Sequence, residues 1–170
     1  MDALSELREK NRTMENFFSL RPATEDDIAY VCEIERKVHV APWSEESFRS
    51  ELGKPYSKFL VMTDDETDSK IAGYIVYWIM LKDCQILNVV VDLPYRGLGL
   101  AKKMMNQALS ASLRDGVHKI VLEVRKSNLA AVQLYQGLGF AISHVRKSFY
   151  SNGEDAYQME LNLEENGIRF

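Results

Sequence analysis

Two glycines stand where a run of apolar residues gives way to a helical repeat. Val89–Val91 closes a segment predicted to be a buried strand, and Gly97 and Gly99 lead into an apolar repeat that begins at Leu100. Glycine allows positive φ and close approach of a ligand to the backbone. A helix N-terminus adds unpaired amides and the positive end of the helix dipole, which suits a pyrophosphate. From the residues alone, an ordinary turn is an equally good interpretation.

Two common nucleotide-binding loops are excluded here. Lys102 stands where a dinucleotide-binding fingerprint has its third glycine, and the loop lacks the Gly-Lys-Ser/Thr ending of a P-loop.

An acidic residue interrupts the apolar segment that follows the helix predicted to begin at Leu100. Ile120–Arg125 is predicted to be a strand with apolar residues on both faces up to Glu123, and such strands usually stay apolar. One interpretation is an ion pair with Arg125 or a solvated strand end. The other is a general base. The strand pattern leaves both open.

A polar residue and an aromatic residue share one side of the helix predicted next. Asn128 and Tyr135 are seven residues apart, which is nearly two full turns. Tyr135 fits the core side of that helix, although a buried tyrosine hydroxyl still needs a partner. Core packing and a catalytic hydroxyl both remain possible on this pattern.

These segments together resemble the acetyl-CoA-dependent GNAT acetyltransferases. Residues 96–101 read R-G-L-G-L-A, similar to the pyrophosphate motif of that superfamily. Residues 122–140 read L-E-V-R-K-S-N-L-A-A-V-Q-L-Y-Q-G-L-G-F, similar to its second signature in the form found in the RimI group of ribosomal-protein N-terminal alanine acetyltransferases. The resemblance extends over about residues 17–163, nearly all of the chain.

The resemblance implies a role for each matching residue. Glu123 would be the general base, Tyr135 the general acid, and Asn128 a contact to the pantetheine arm. Acetyl-CoA, the implied cosubstrate, would be bound by the strand end and the loop, that is by Val89, Val90, Val91, Arg96, Gly97, Leu98, Gly99, Leu100, Ala101 and Lys102, and also by Asn128 and Tyr135.

Two further segments resemble substrate-binding parts of protein N-terminal acetyltransferases. Residues 41–48 read A-P-W-S-E-E-S-F, similar to the RimI substrate loop, which implies that Pro42 and Trp43 bind substrate. Residues 149–159 read F-Y-S-N-G-E-D-A-Y-Q-M, similar to a segment of NatA-type catalytic subunits and archaeal enzymes, which implies the same for Tyr150. Phe149 replaces the first tyrosine of that segment. Without the resemblance, Asn152-Gly153 predicts a plain hairpin turn.

The elements that must position these residues can be read along the chain. Ser44 is a predicted helix cap with Trp43 and Phe48 spaced as a hydrophobic staple. Helices are also predicted from Thr24, over 100–112 and over 128–138, and a hairpin turn over 64–69. Strands are predicted over 17–22, 59–62, 71–80, 85–91, 119–124, 141–150 and 157–163. A strand, a helix and a strand in succession favour a parallel crossover at the centre of a mixed sheet.

We therefore predict an α/β (α+β) domain. The resemblance implies the GNAT fold, a mixed sheet of about six or seven strands with a splayed parallel pair in the centre and about four flanking helices. Residues 14–165 form the predicted single domain, preceded by a polar extension (1–13) and followed by a tail (166–170).

Composition limits the partners. The net charge of −4 and the lack of a Lys/Arg excess give no reason to expect nucleic acid. No apolar run is long enough to cross a bilayer, and Cys32, Cys84 and the three histidines lack metal-type spacing. We expect a cytoplasmic protein without a metal, a monomer or weak oligomer.

The predicted function is acetylation of the N-terminal α-amine of a protein, either a ribosomal protein or a nascent chain. Two alternatives stay open: a GNAT enzyme for a lysine side chain or a small amine, and a non-catalytic acyl-CoA-binding module. Cys84 is a poor candidate for an acyl-enzyme, because no histidine is tied to it by a motif.

Overall fold

The computed structural model describes residues 17–65 and 70–163. The predicted extension and tail, and most of the predicted 64–69 turn, lie outside these ranges. The described residues form strands and helices in the order β1 (Phe18–Pro22), α1 (Ile28–Val38), α2 (Glu45–Leu52), β2 (Ser57–Asp64), β3 (Ile71–Met80), β4 (Asp83–Val91), α3 (Leu100–Arg114), β5 (Lys119–Arg125), α4 (Leu129–Gly137), β6 (Ala141–Arg146) and β7 (Ala156–Asn162).

The strands form one mixed sheet in the order β1-β2-β3-β4-β5-β7-β6. β4 and β5 are parallel, with a register that runs from Asp83 opposite Lys119 to Ile86 opposite Leu122. Both strands continue beyond this stretch, to Val91 and Arg125. The prediction of a mixed sheet with a parallel central pair, reached through the helical crossover α3, is confirmed.

Local signals account for several boundaries. The Ser44 side chain accepts a hydrogen bond from the Ser47 amide and begins α2, as predicted. The staple is also confirmed, since the rings of Trp43 and Phe48 lie 5.3 Å apart. The predicted strand over 141–150 is too long: β6 ends at Arg146, because Ser148 adopts a φ of 49°, which a strand does not accommodate.

The chain divides into two compact units, and β3 and β4 each run through both. The first unit comprises the described residues up to 76 and Asn88–Gln107. Its core includes Phe48, whose ring packs against Phe59 and Tyr74 at centroid distances of 5.7 and 5.5 Å. Burial of such aromatic side chains is a major source of stability.

The second unit comprises Tyr77–Leu87 and the described residues from 108 onward. Here β7 pairs antiparallel with β5 on one side and with β6 on the other. The buried residues alternate along the strands, with Ile120 opposite Leu161 and Leu122 opposite Met159. In the part of the chain that the structure describes, no helix is both long and apolar enough to span a membrane.

Candidate active site

The glycine loop lies in the first unit and leads directly into a long helix. Asp92 accepts a hydrogen bond from the Leu93 amide and starts a 3₁₀ turn, after which Gly97 and Gly99 adopt φ values of 79° and 78°. Space around Gly97 is open: a Cβ there would have no neighbour within 4 Å, so its glycine is required by backbone conformation.

The helix α3 supplies unpaired amides at this point. Its opening hydrogen bond runs from the Lys103 amide to the Gly99 carbonyl at 3.1 Å. The amides of Leu100, Ala101 and Lys102 precede this bond, and amides in that position have no partner within a helix. Together with the positive-φ glycines they form a concave set of N–H donors, which fits an anionic pyrophosphate.

The strand end Val89–Val91 is held by an unusually close approach of β3. A Cβ on Gly73 would stand 2.4 Å from the Val90 carbonyl oxygen and 3.2 Å from the Val91 Cα. Only glycine fits at this position. The Asp92 amide donates to the Ala72 carbonyl at 2.9 Å, so the chain leaves β4 along a fixed path. From the loop, Arg96 Nε donates back to the Val91 carbonyl at 3.4 Å.

The predicted substrate segment also lies in the first unit, between α1 and α2. Pro42 is exposed, whereas Trp43 is half-buried against Phe48. The Trp43 amide donates to Glu35 Oε1 at 3.0 Å. The backbone of this segment is therefore attached to a side chain of the preceding helix.

Glu123 lies in the second unit, in β5, and its side chain is 14% exposed. Its Oε1 accepts a hydrogen bond from Arg146 Nη1 of β6 at 2.8 Å, and the Arg146 guanidinium stacks 4.5 Å above the Phe149 ring. The ion pair with Arg125, one of the interpretations that the strand pattern left open, is not formed: Glu123 pairs with Arg146. Arg125 instead forms an ion pair with Glu154, in which Arg125 Nη1 lies 2.9 Å from Glu154 Oε2, and its guanidinium stacks on the ring of Tyr150.

Asn128 and Tyr135 are positioned by α4, as predicted. The Asn128 Oδ1 accepts a hydrogen bond from the Ala131 amide at 3.2 Å and caps the helix. Tyr135 is buried, with its ring 6.1 Å from that of Phe140. Burial raises the pKa of Tyr135 to about 12, with a further contribution from Tyr150. The Tyr135 hydroxyl therefore keeps its proton at neutral pH.

Tyr150 is held by the turn between β6 and β7. The Arg125 guanidinium lies 3.7 Å from the centroid of its ring, and the Gly153 amide donates to its carbonyl at 2.8 Å. The Asn152-Gly153 turn is thus confirmed. Burial raises the pKa of Tyr150; the charge of Arg125 opposes this and that of Glu123 adds to it. Within the second unit, Glu123 and Tyr135 each lie within electrostatic range of Tyr150.

Three residues of interest escaped the sequence analysis. Glu35 falls on the apolar stripe formed by Ile28, Val31, Cys32 and Val38, and an acid in that stripe was a readable signal. A glycine inside an apolar strand, at Gly73, was a second such signal. Arg146 gave none, because its partner depends on the pairing of β6 with β7.

Neither a cysteine nucleophile nor a metal site is supported by the described residues. Cys84 is buried, which raises the pKa of its thiol to about 11 and disfavours the reactive thiolate. Within residues 17–65 and 70–163, no three His, Cys, Asp or Glu side chains are grouped as metal ligands would be.

A mixed sheet with a parallel central pair, and a glycine loop with positive φ values before a long helix, fit the class of acyl-CoA-dependent transferases. Residues 28–140 match the acetyltransferase (GNAT) family. The chain belongs to this family.

Similar proteins narrow the comparison. The [ribosomal protein bS18]-alanine N-acetyltransferase of Escherichia coli (strain K12) is 32% identical over 140 residues, which cover 81% of this chain and 92% of the enzyme. A Bacillus subtilis (strain 168) protein, which carries the same enzyme name provisionally, is 37% identical over 142 residues. The match covers 82% of this chain and 92% of the Bacillus protein.

Solved structures agree with this assignment. The crystal structure of the Escherichia coli ribosomal-protein-S18-alanine N-acetyltransferase matches with a TM-score of 0.78 at 28% identity, covering 90% of this chain and 99% of that one. A chain of the NatC complex bound to Gag peptide and CoA matches with a TM-score of 0.78 at 25% identity, covering 86% of this chain and 98% of that one. The resemblance stated from the sequence is confirmed, and so is the GNAT fold.

Proposed function

We propose that this chain transfers the acetyl group of acetyl-CoA to the N-terminal α-amine of a protein, with an N-terminal alanine of a ribosomal protein as the first substrate to test. The observation that carries the catalytic part is that a carboxylate, Glu123, and a buried hydroxyl, Tyr135, both lie within electrostatic range of Tyr150 in one unit. The names of the bacterial relatives support the choice of substrate.

The cosubstrate would be held by backbone rather than by side chains. The residues fit it, because the positive-φ glycines and the α3 N-terminus present amides to a pyrophosphate. We assign this binding to Val89–Val91 and to the loop from Arg96 to Lys102, with Asn128 as a further contact. Acetyl-CoA supplies an acetyl group activated as a thioester. An amide near Val90 would stabilise the oxyanion that develops when the amine attacks.

Proton transfer falls to Glu123. An N-terminal amine has a pKa of about 7.7–8.0, so a fraction is already neutral at physiological pH, whereas a lysine amine has a pKa of about 10.4. Glu123 would accept the proton that the amine loses as the N–C bond forms, directly or through a water. Its carboxylate must first exchange the Arg146 guanidinium for the substrate.

Tyr135 would act on the leaving group. As the C–S bond breaks, the sulfur gains negative charge, and the Tyr135 hydroxyl would donate a hydrogen bond to it. A thiol has a pKa of about 8.5, well below the value of about 12 for Tyr135. Complete transfer of the tyrosine proton to the thiolate is thus unfavourable, and hydrogen bonding is the role that this pKa supports.

The test is CoA release across a panel of acceptors. It comprises peptides with free N-termini beginning with Ala, Ser, Met or Glu, N-blocked peptides with one lysine, and a polyamine. Turnover restricted to free N-termini is expected. Turnover on lysine peptides or the polyamine alone would replace the proposal with the side-chain or small-amine function. Acetyl-CoA binding without turnover on any acceptor would favour the non-catalytic module.

A further inference from the structure

Glu35 is a carboxylate in the core of the first unit. It lies in α1, one turn before the helix ends at Val38, and it is 0% exposed. A buried carboxylate is costly unless hydrogen bonds replace its lost water. Its partners therefore explain why the fold keeps it.

Both oxygens of Glu35 accept hydrogen bonds. Oε1 receives the Trp43 amide at 3.0 Å. Oε2 receives the Tyr74 hydroxyl and lies 2.7 Å from His39 Nδ1, which donates because a carboxylate only accepts. Burial acts to raise the pKa of Glu35, but the hydrogen bonds from His39, Tyr74 and Trp43 outweigh it and lower the pKa. The carboxylate is ionised at neutral pH.

The same network reaches β4. The Asn88 Nδ2 donates to the Tyr74 hydroxyl at 3.1 Å and lies 3.5 Å from Glu35 Oε2. Asn88 immediately precedes Val89–Val91. One carboxylate thus connects the segment that carries Trp43 to β3 and to the strand end that precedes the glycine loop.

A second buried glutamate in the same unit shows a different arrangement. Glu51 is 4% exposed and receives Lys54 Nζ and Ser57 Oγ, which are three and six residues away. These two partners lie in the loop that follows α2 and at the first residue of β2. The contacts of Glu35 extend further along the chain, to Tyr74 in β3 and to Asn88 in β4, which are separated from it by 39 and 53 positions.

We propose that Glu35 is a positioning residue for the protein substrate. Its carboxylate fixes the backbone of residues 39–44 relative to the strand end at Val89, so that Pro42 and Trp43 present a preformed surface to the substrate N-terminus. This inference rests on the proposed function for its kinetic part only, since the attachment of the segment can be measured in the absence of turnover.

Replacing the carboxylate with an amide tests the attachment. In Glu35→Gln one oxygen becomes an NH₂ group, which faces donors and leaves at least one of them without an acceptor. The segment is then held less firmly. We expect the KM for an N-terminal Ala peptide to rise about tenfold, while the KM for acetyl-CoA changes less than about twofold.

Glu51→Gln is the matched control, since it makes the same substitution at a buried carboxylate of the same unit. It should leave both KM values at the wild-type level. Tyr74→Phe is the second variant, chosen because it keeps the buried ring and removes only the hydroxyl. It should raise the peptide KM in the same direction by a smaller factor, and it keeps the test usable if Glu35→Gln does not fold.

Hydrogen–deuterium exchange of residues 39–44 gives the readout that needs no activity. Faster exchange of this segment in Glu35→Gln and Tyr74→Phe, but not in Glu51→Gln, is the expected result. Exchange equal to that of the wild type in both variants would overturn the proposal, as would an unchanged peptide KM in an active enzyme. If the wild type acetylates none of the peptides, the proposed function fails, and the exchange rates still decide whether Glu35 fixes the segment.

Discussion

Two carboxylates within regular secondary structure serve as a comparison between the two units. Glu35 is fully buried and receives hydrogen bonds from a backbone amide, a tyrosine and a histidine. Glu123 remains 14% exposed, and its contact is Arg146, whose side chain is 47% exposed. The first carboxylate is held by several donors from different elements. The second is held by one guanidinium at the surface.

The difference shows how environment assigns a role to the same side chain. A carboxylate that accepts hydrogen bonds from several elements in the core can keep those groups in position but cannot be reached by a substrate amine. A partly exposed carboxylate with an exchangeable cation can meet a substrate amine and water. Surface ion pairs contribute little to stability, so loss of the Arg146 contact costs the fold little.

The largest expected effect sharpens this comparison at Glu123. We expect Glu123→Gln to lower kcat by about 100-fold or more. The loss should be greatest below a pH of about 8, where most of the α-amine is protonated. Steady-state rates from pH 6 to 9 with an N-terminal Ala peptide measure this. Wild-type kcat, or a loss that does not vary with pH, would assign the proton transfer to another group.

The melting temperature of Glu123→Gln tests whether Glu123, unlike Glu35, contributes little to stability. It should stay close to that of the wild type, because the ion pair that it removes is at the surface. Strong destabilisation would remove the contrast with Glu35.

Tyr135→Phe is next in size. The ring keeps its packing beside Phe140 and only the hydroxyl is lost. We expect kcat to fall by about 30-fold with the KM for acetyl-CoA unchanged. Because the pKa of Tyr135 is about 12, the wild-type rate should show no loss of the tyrosine proton between pH 6 and 9. Equal losses of turnover and of acetyl-CoA binding, the latter measured by calorimetry, would contradict a hydrogen bond from Tyr135 to the leaving sulfur.

Gly73→Ala probes the first unit. The added Cβ would stand 2.4 Å from the Val90 carbonyl oxygen, so β3 and β4 must separate. We expect the free energy of unfolding to fall by about 2 kcal/mol and acetyl-CoA binding to weaken. Gly53→Ala is the control, because its Cβ would meet only Ser50 O, at 3.9 Å. Urea unfolding of both variants decides the matter, and equal midpoints would refute the close approach.

The smallest effect is the pH dependence of stability at Glu35. Its pKa in the folded protein lies below the unfolded value, so the unfolded state takes up the proton first as pH falls. The stabilising contribution is therefore present above a pH of about 4.3 and is lost as pH falls through the folded pKa. We expect wild type and Glu35→Gln to differ by about 1–2 kcal/mol at pH 7, and by less with increasing acidity. A difference that stays constant from pH 7 to 3 would contradict a lowered pKa.

Much of the architecture follows from short-range signals. The Ser44 cap, the bounds of β3, the Asn152-Gly153 turn and the glycine loop before α3 were all predicted from residues that lie next to one another in the chain. Such features depend on local backbone preferences and on apolar periodicity, which neighbouring residues carry by themselves. The resemblance of residues 96–101 and 122–140 to known motifs identified the family.

The partners of the charged side chains were decided by the tertiary structure. Glu123 meets Arg146, which is 23 residues away, because β6 pairs with β7 and β7 with β5. Arg125, two residues along the same strand, pairs elsewhere. Glu35 meets Tyr74 and Asn88 only once α1 packs beside β3 and β4, and Gly73 is required only because β4 passes so close. The amino-acid sequence by itself predicted where strands and helices occur. Strand register and tertiary packing determined which side chains meet, because no local pattern specifies which distant segments become neighbours.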